Sequence, residues 1–464
     1  MTQKPFALQI LSLAVLRLFL SANGTHLPNI TCVAAKPCTC FLGVRAQYDV
    51  YCQFLNLTEV PEFFTAYVNY SDVGISLKAN LLTTVHNGTF SGLSFPDDAE
   101  ISMDLSYNNI ETLETEAFAG IAQYVTDINF YFNKISVFPT ALSGMMNLQE
   151  LYLSFNPLKT LDPLVFQAFG QSLTYLTFDM GHFQSWPNEL SYLKALQVFD
   201  LFNLPFEDIP LRSFHSFKDT FLGFAIFGKN LTTFPKEVCS LHSLGSFTIF
   251  DSPEFAFGAD LPLCPNMMRN LEDLDIENNI LDNIPGIFKT FPAVLELDLA
   301  NNSIHDIVDT AFVGAKKVYS LNLNSNLLQG IPAAVTQLQS LTQLFLTNNS
   351  ISDIDKDVMQ NLTKVQSLFL NVNEISKLAD DTFPLTKNLY WLDLSSNNLT
   401  SLPVSIMNLK NLTHLRLDEN PIECSCAAMK KLKSWDTSHM MLAGVCSDGK
   451  TGIQDYIQKY LPKC

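Results

Sequence analysis

Apolar residues recur in this chain as L-x-x-L-x-L-x-x-N-x-L, once in each stretch of about two dozen residues. The pattern is clearest at Leu389-Tyr-Trp-Leu392-Asp-Leu394-Ser-Ser-Asn397-Asn-Leu399 and at Leu148-Gln-Glu-Leu151-Tyr-Leu153-Ser-Phe-Asn156-Pro-Leu158. Alternation within L-x-L predicts a short strand, with its leucines turned inward and the residues between them turned out. A period of this length predicts stacked coils, because a single coil cannot bury its own apolar face. Strands of successive coils then pair in parallel, about 4.8 Å apart.

The asparagine position is a turn. The turn leaves backbone N–H and C=O groups that the next coil buries, and these need partners. A side-chain amide offers donors and an acceptor together, so a column of asparagines can tie each turn to the next. The position is filled by Asn80, Asn108, Asn133 and Asn156, and again by Asn279, Asn302, Asn326, Asn349, Asn373, Asn397 and Asn420. Between these runs stand Gly181, Leu204, Lys229 and Ser252. The hydrogen-bond column is expected to be interrupted there, with a local change of backbone geometry, or else the four are ordinary repeat degeneracy. Asn203 and Asn230 lie one residue to either side of the expected position, which leaves room for a local slip of register.

A second apolar residue follows each turn: Phe90, Phe118, Phe166, Phe214, Phe312 and Phe383 are expected to fill the far side of the core. Proline follows several strands, at Pro139, Pro187, Pro210, Pro235, Pro285, Pro332 and Pro403, and favours an extended or turning backbone over a long helix.

The repeat resembles the leucine-rich-repeat family over about residues 53–423. Cys32-x5-Cys38-x-Cys40-x11-Cys52 is similar to the N-terminal cysteine cap of its extracellular members, and Asn420-Pro421-Ile-Glu-Cys424-Ser-Cys426 with Cys446 and Cys464 to the C-terminal cap. The family usually has an aromatic where this chain has Ile422. The resemblance implies an α/β repeat fold: a leucine-rich-repeat solenoid curved into a horseshoe, with a concave parallel β-sheet and disulfide-bonded caps. It also implies the pairs Cys32–Cys40, Cys38–Cys52, Cys424–Cys446 and Cys426–Cys464. Caps close a solenoid end that would otherwise expose core and an unpaired strand edge. Cys239 and Cys264 remain, in adjacent repeats. One coil of separation is compatible with a bridge between them; two buried thiols are the alternative. The expected organisation is a signal peptide at 1–24, an N-terminal cap at 25–52, about 15 repeats over 53–420 with an irregular stretch at 173–270, and a C-terminal cap at 421–464.

The first 24 residues carry Lys4, an apolar run from Phe6 to Leu20 and small residues at Ala22 and Gly24, the pattern of a secretory signal. No later run reads as transmembrane and no apolar tail follows Cys464, so a secreted, extracellular, soluble protein is expected. A fragment of a longer receptor would read the same way. Net charge is −18, and removing a leader with two bases and no acid makes it −20. Such an excess of acid disfavours nucleic acid, heparin-like polyanions and anionic membranes as partners, and no membrane insertion is expected. Ten N-x-Ser/Thr sequons remain: Asn29, Asn56, Asn69, Asn87, Asn230, Asn301, Asn348, Asn361, Asn398 and Asn411. None falls between Asn87 and Asn230.

Enzyme signatures are missing: no His-Glu-x-x-His, no Gly-x-Ser-x-Gly, no phosphate loop and no calcium loop. No enzyme activity, metal or cofactor is expected. The strand register places Tyr131, Phe132, Tyr152, Phe155, Tyr175, Phe202, Phe227 and Phe250 outward, with Phe202, Phe227 and Phe250 at one place in three consecutive repeats. Glu272, Asp273, Asp275, Glu277, Glu296 and Asp298 are expected outward next in the chain, and Tyr319, Phe345, Phe369, Tyr390 and Trp391 form a weaker aromatic set. Exposed aromatic patches mark interaction sites and supply most interface anchors. The expected site is therefore Tyr131, Tyr152, Phe155, Tyr175, Phe202, Phe227 and Phe250 with Glu272, Asp275 and Glu277. The expected function is binding of a protein ligand or receptor that presents an apolar and basic patch. The family branches implied are Slit-like, Toll-ectodomain-like and small-proteoglycan-like. The alternatives are a non-catalytic stabilising subunit of a secreted enzyme, similar to that of the Oplophorus-type luciferase, or a structural matrix protein.

Overall fold

The computed structural model describes residues 31–43, 47–258, 263–383 and 388–464. The leader at 1–24 and the sequon at Asn29 lie outside the described residues. The chain divides into two compact units: residues up to Leu231 with Pro235–Ile249, and Thr232–Phe234 with Phe250–Cys464.

In the first unit, strands β1 (Thr39–Leu42) and β2 (Tyr48–Tyr51) pair antiparallel. The disulfides Cys32–Cys40 and Cys38–Cys52 sit on this hairpin, as the N-terminal cap requires. Seven strands of the long sheet follow: β3 (Asp72–Ser76), β4 (Glu100–Asp104), β5 (Val125–Asn129), β6 (Glu150–Leu153), β7 (Tyr175–Asp179), β8 (Val198–Phe202) and β9 (Gly223–Phe227). Each pairs in parallel with its predecessor, starting from β2. Strand β10 is Ser246–Phe250. The second unit continues with β11 (Asp273–Asp275), β12 (Glu296–Asp298), β13 (Ser320–Asn322), β14 (Gln343–Phe345), β15 (Ser367–Phe369), β16 (Trp391–Asp393), β17 (His414–Arg416) and β18 (Met441–Ala443), all parallel to their neighbours. It ends in the bridges Cys424–Cys446 and Cys426–Cys464, with Ile422 buried beneath them. Cys239 and Cys264 are also in disulfide linkage.

The inward residues of each strand are buried, each apolar side chain contributing about 1.5–3 kcal/mol. Phe90, Phe118, Phe166, Phe214, Phe312 and Phe383 are all within the core. Opposite the sheet the backbone is mostly turns and short 3₁₀ segments, with six-residue α-helices at Pro163–Ala168 and Lys356–Asn361. Five 3₁₀ segments start directly after a proline: Pro139, Pro187, Pro235, Pro332 and Pro403.

The turn asparagines form the expected column. In Asn302, Oδ1 accepts from Leu281 N at 3.1 Å and Nδ2 donates to Ile276 O at 2.7 Å, both in the preceding repeat. The residue before each asparagine is left-handed, as at Ala79, Ser325 and Ser396, with φ of 53–54°. The column of side-chain amides has no member at Gly181, Leu204, Lys229 and Ser252. Leu204 and Ser252 keep the left-handed residue before them, Asn203 at φ 51° and Asp251 at φ 55°. Gly181 and Lys229 do not: the backbone at Met180 and Gly228 is not left-handed. At Gly181 the turn N–H is taken instead by Asp179 Oδ1 at 2.8 Å, and Asn203 Nδ2 donates to the other Asp179 oxygen. The strands keep their register through this stretch, with Val198 opposite Gly223 and Phe202 opposite Phe227. The core changes composition: Phe178, Phe199, Phe224 and Phe247 stack in succession, with centroids 5.5–5.9 Å apart, where other repeats use leucine. Inter-repeat contact passes from amides in the turn to rings in the core.

Candidate functional site

The register of the first unit sets three outward rows. Glu150, Tyr175, Val198 and Gly223 lie side by side in one row. Tyr152, Thr177, Asp200 and Ala225 form the second, and Asp179, Phe202 and Phe227 the third. Phe202 and Phe227 are half-buried on the outward face, while Phe199 and Phe224 on the same strands are in the core.

Above these rows runs a ladder of rings. Tyr107 stacks on Phe132 at 5.2 Å and Phe132 on Phe155 at 4.6 Å, with interplanar angles of 11° and 6°. Phe155 meets Phe202 at 5.2 Å, and Phe202 stacks on Phe227 at 4.4 Å and 8°. Tyr131 packs edge-on against Phe132 and Phe155. Phe155 and Phe202 touch although a whole repeat, the one with Gly181 at its turn, lies between them in the chain. Lys78 Nζ sits 5.5 Å from the centre of the Tyr107 ring at the other end. Tyr107 and Phe132 are 48% and 43% exposed.

Tyr107, Phe132 and Phe155 each precede a turn asparagine and have φ of 54°, 54° and 58°. A bulky side chain in this region is strained, by roughly 1–2 kcal/mol. Ala79, Asn278, Asn301, Ser325, Asn348 and Ser396 fill the same position in other repeats, so the turn does not require a ring. Tyr107 escapes the sequence reading because it lies outside the L-x-L strand, although its place immediately before Asn108 is a legible signal.

Three expected contact residues require correction, Tyr175 and Tyr152 on this unit and Asp275 on the second. Tyr175 is 4% exposed and Tyr152 9% exposed. Their rings lie 4.9 Å apart, and their hydroxyls donate to carboxylates of the same face, Tyr175 to Asp200 and Tyr152 to Glu150. Outward direction does not guarantee exposure where neighbouring outward side chains are also large. These tyrosines are buried supports of the surface. Tyr131 and Phe155 are half-buried and remain in reach.

On the second unit, Phe250 is half-buried, Glu272 exposed and Glu277 half-buried, but Asp275 is buried. Asp273 faces Glu296 and Asp275 faces Asp298 across adjacent strands. Burial and these neighbouring carboxylates push Asp273 up to about 6 and Asp275 well above the usual range. Burial also raises Asp298 to about 6. Tyr319 donates to Glu296, Asn322 Nδ2 to Asp298 at 2.8 Å and Asn301 Nδ2 to Glu277 at 2.9 Å. Farther along, Phe345 stacks on Phe369 at 4.9 Å and Trp391 on His414 at 4.4 Å. Asn56, Asn69, Asn87, Asn230, Asn301, Asn348, Asn361, Asn398 and Asn411 are all exposed. Among the described residues no group of three or more His, Cys, Asp or Glu is arranged to hold a metal, and no helix is long and apolar enough to cross a membrane.

The leucine rich repeat family pattern matches residues 102–158, 269–328, 316–375 and 363–422. Among solved structures, the chain is similar to a leucine-rich-repeat protein of Leptospira interrogans, with 23% identity over 84% of this chain and 94% of that one and a TM-score of 0.55. It is also similar to an internalin of Listeria monocytogenes, at 19% identity over 69% and 80% of the two chains and a TM-score of 0.44. A plant peptide hormone receptor matches at 18% identity over 88% and 70%, with a TM-score of 0.47. The chain carries leucine-rich repeats and folds as a leucine-rich-repeat solenoid with a long parallel sheet and disulfides near both ends.

Proposed function

We propose that this leucine-rich-repeat chain is a secreted, non-enzymatic glycoprotein that binds a protein partner on the outward face of its first unit. The observation that carries this reading is the ring ladder from Tyr107 through Phe132, Phe155 and Phe202 to Phe227. Three of its rings stand on strained backbone, at a position that other repeats fill mostly with small or polar residues and once with Val372. Strain retained without structural need points to use. Disulfides at both ends suit an oxidising, extracellular setting.

The partner presents apolar groups flanked by Lys or Arg. Asp127 and Glu150 are half-buried on outward rows beside the ladder, with Asp104, Asp179 and Asp200 buried on the same rows, and a lysine already rests over its first ring. The face of the second unit repeats both chemistries, with Phe250, Glu272 and Glu277. The test is capture from extracellular fluid by the mature chain and by a Phe202→Ala/Phe227→Ala double variant of equal fold. A band retained by the first and lost by the second supports the site. Equal capture by both removes it.

A further inference from the structure

Asp200 departs from a rule that its counterparts obey. Six other Asp or Asn residues hold the same place, four before the turn position: Asp104, Asn129, Asp275, Asp298, Asn322 and Asp393. Each accepts a hydrogen bond from the backbone N–H two residues on, at 2.8–3.1 Å. That bond stabilises the turn and explains an acid or amide there. Asp200 does not make it. Its Oδ2 takes the Tyr175 hydroxyl, and its Oδ1 has no partner at all, although the residue is 1% exposed. Asp275 also has one unpartnered oxygen, but its other oxygen serves the turn.

A buried carboxylate oxygen without a donor is costly, so its retention calls for a reason. The surroundings indicate one. On the next strand the outward residues beside Asp200 are Gly223 and Ala225, which carry almost no side chain. Two residues along its own strand stands Phe202, stacked on Phe227. The carboxylate therefore lies at the foot of the ring ladder, next to a lane kept low by small residues.

We propose that Asp200 is the anchor for one cationic side chain of the partner, a guanidinium whose aliphatic stem lies along Phe202 and Phe227. The head meets the unpartnered Oδ1 by a charge-assisted hydrogen bond, and the rings take the stem. The site is closed in the free chain. A cation reaches it by turning aside side chains such as the Tyr175 ring, which needs rotamer changes and not a shift of the sheet. This inference rests on the proposed binding face and gives it a specificity-determining residue.

The probe is a fluorescein-labelled Phe-Arg-Phe peptide and its citrulline counterpart, equal in shape and without the charge. Anisotropy at pH 8 gives the ratio of their affinities for the full mature chain. Wild type and the charge-matched control Glu207→Gln are expected to favour arginine at least tenfold. Asp200→Asn is expected to erase that ratio while binding the citrulline peptide as wild type does. An unchanged ratio in Asp200→Asn, or no preference in wild type, overturns the proposal. Phe202→Ala separates the two ideas. If it weakens both peptides while Asp200→Asn leaves the ratio intact, the face stands and the anchor falls. If it affects neither peptide, the binding face itself is wrong.

Discussion

Replacing Asn326 by alanine tests the account of the turn column. Asn326 Oδ1 accepts from Ile304 N at 3.0 Å, and Nδ2 donates to Leu299 O at 2.9 Å, both in the preceding repeat. Nδ2 also donates to Leu323 O and Asn324 O at 3.2 Å in its own turn. Alanine deletes all of these bonds and leaves the buried Ile304 N–H without a partner, while Leu299 C=O keeps Asn302 Nδ2 at 3.1 Å. The stranded N–H costs about 1–3 kcal/mol and the other lost bonds about 1 kcal/mol, so the loss is about 2–4 kcal/mol. It falls between repeats, and a solenoid couples mainly nearest neighbours. The assay is native-state hydrogen exchange. The Ile304 amide is expected to lose at least about thirtyfold in protection, equivalent to 2 kcal/mol, while amides near β3 keep theirs. Leu204→Asn supplies the converse. Leu204 is buried in a turn now held by other means, so adding the amide is expected to destabilise and not to restore the column. A change below about 0.5 kcal/mol in Asn326→Ala, with Ile304 still protected, would refute the reasoning.

Other outcomes follow from the same geometry. Burial raises the Asp200 carboxyl from 3.8 to about 7, so the folded state holds its proton where the unfolded state has released it. Stability from this group is present below about pH 4 and lost as pH rises to 7, so Asp200→Asn is expected to gain on the order of 2–4 kcal/mol at neutral pH and nothing at pH 4. Urea titrations at both pH values check this, and a loss at pH 7 would contradict it. Phe132→Asn relieves roughly 1 kcal/mol of left-handed strain at φ 54° but removes the ring's packing on Tyr107, Tyr131 and Phe155, so stability is expected to fall by no more than about 2 kcal/mol while partner binding weakens. Thermal melts and affinity measured together separate the two effects.

Much of the fold is legible in the chain because its determinants are local and periodic. Leu151 and Leu153 point inward by alternation alone, Asn156 bonds to the repeat before it, and Pro139 opens a 3₁₀ turn. What periodicity does not carry is the consequence of three-dimensional crowding. Tyr175 and Phe202 both lie outward by register, yet one is buried and the other half-exposed, because exposure depends on the height of neighbours one and two strands away. The alliance of Phe155 with Phe202 skips a repeat, so no column drawn on the sequence finds it. Asp200 looks like any acid of the Leu-Asp-Leu type until its hydrogen bonds are compared with those of Asp104 and Asp298.

The most direct test of the proposed site is a parallel affinity measurement on the captured partner, using wild type, Phe202→Ala, Phe227→Ala and Trp391→Ala at low and physiological salt. Loss of a buried interface aromatic costs about 2 kcal/mol or more, so each phenylalanine variant is expected to bind about thirtyfold more weakly, with Trp391→Ala within about twofold of wild type. Association is expected to slow as salt rises, because opposite charges steer the encounter. Unchanged affinity in both phenylalanine variants, with binding lost in Trp391→Ala, would place the site on the second unit and contradict the assignment.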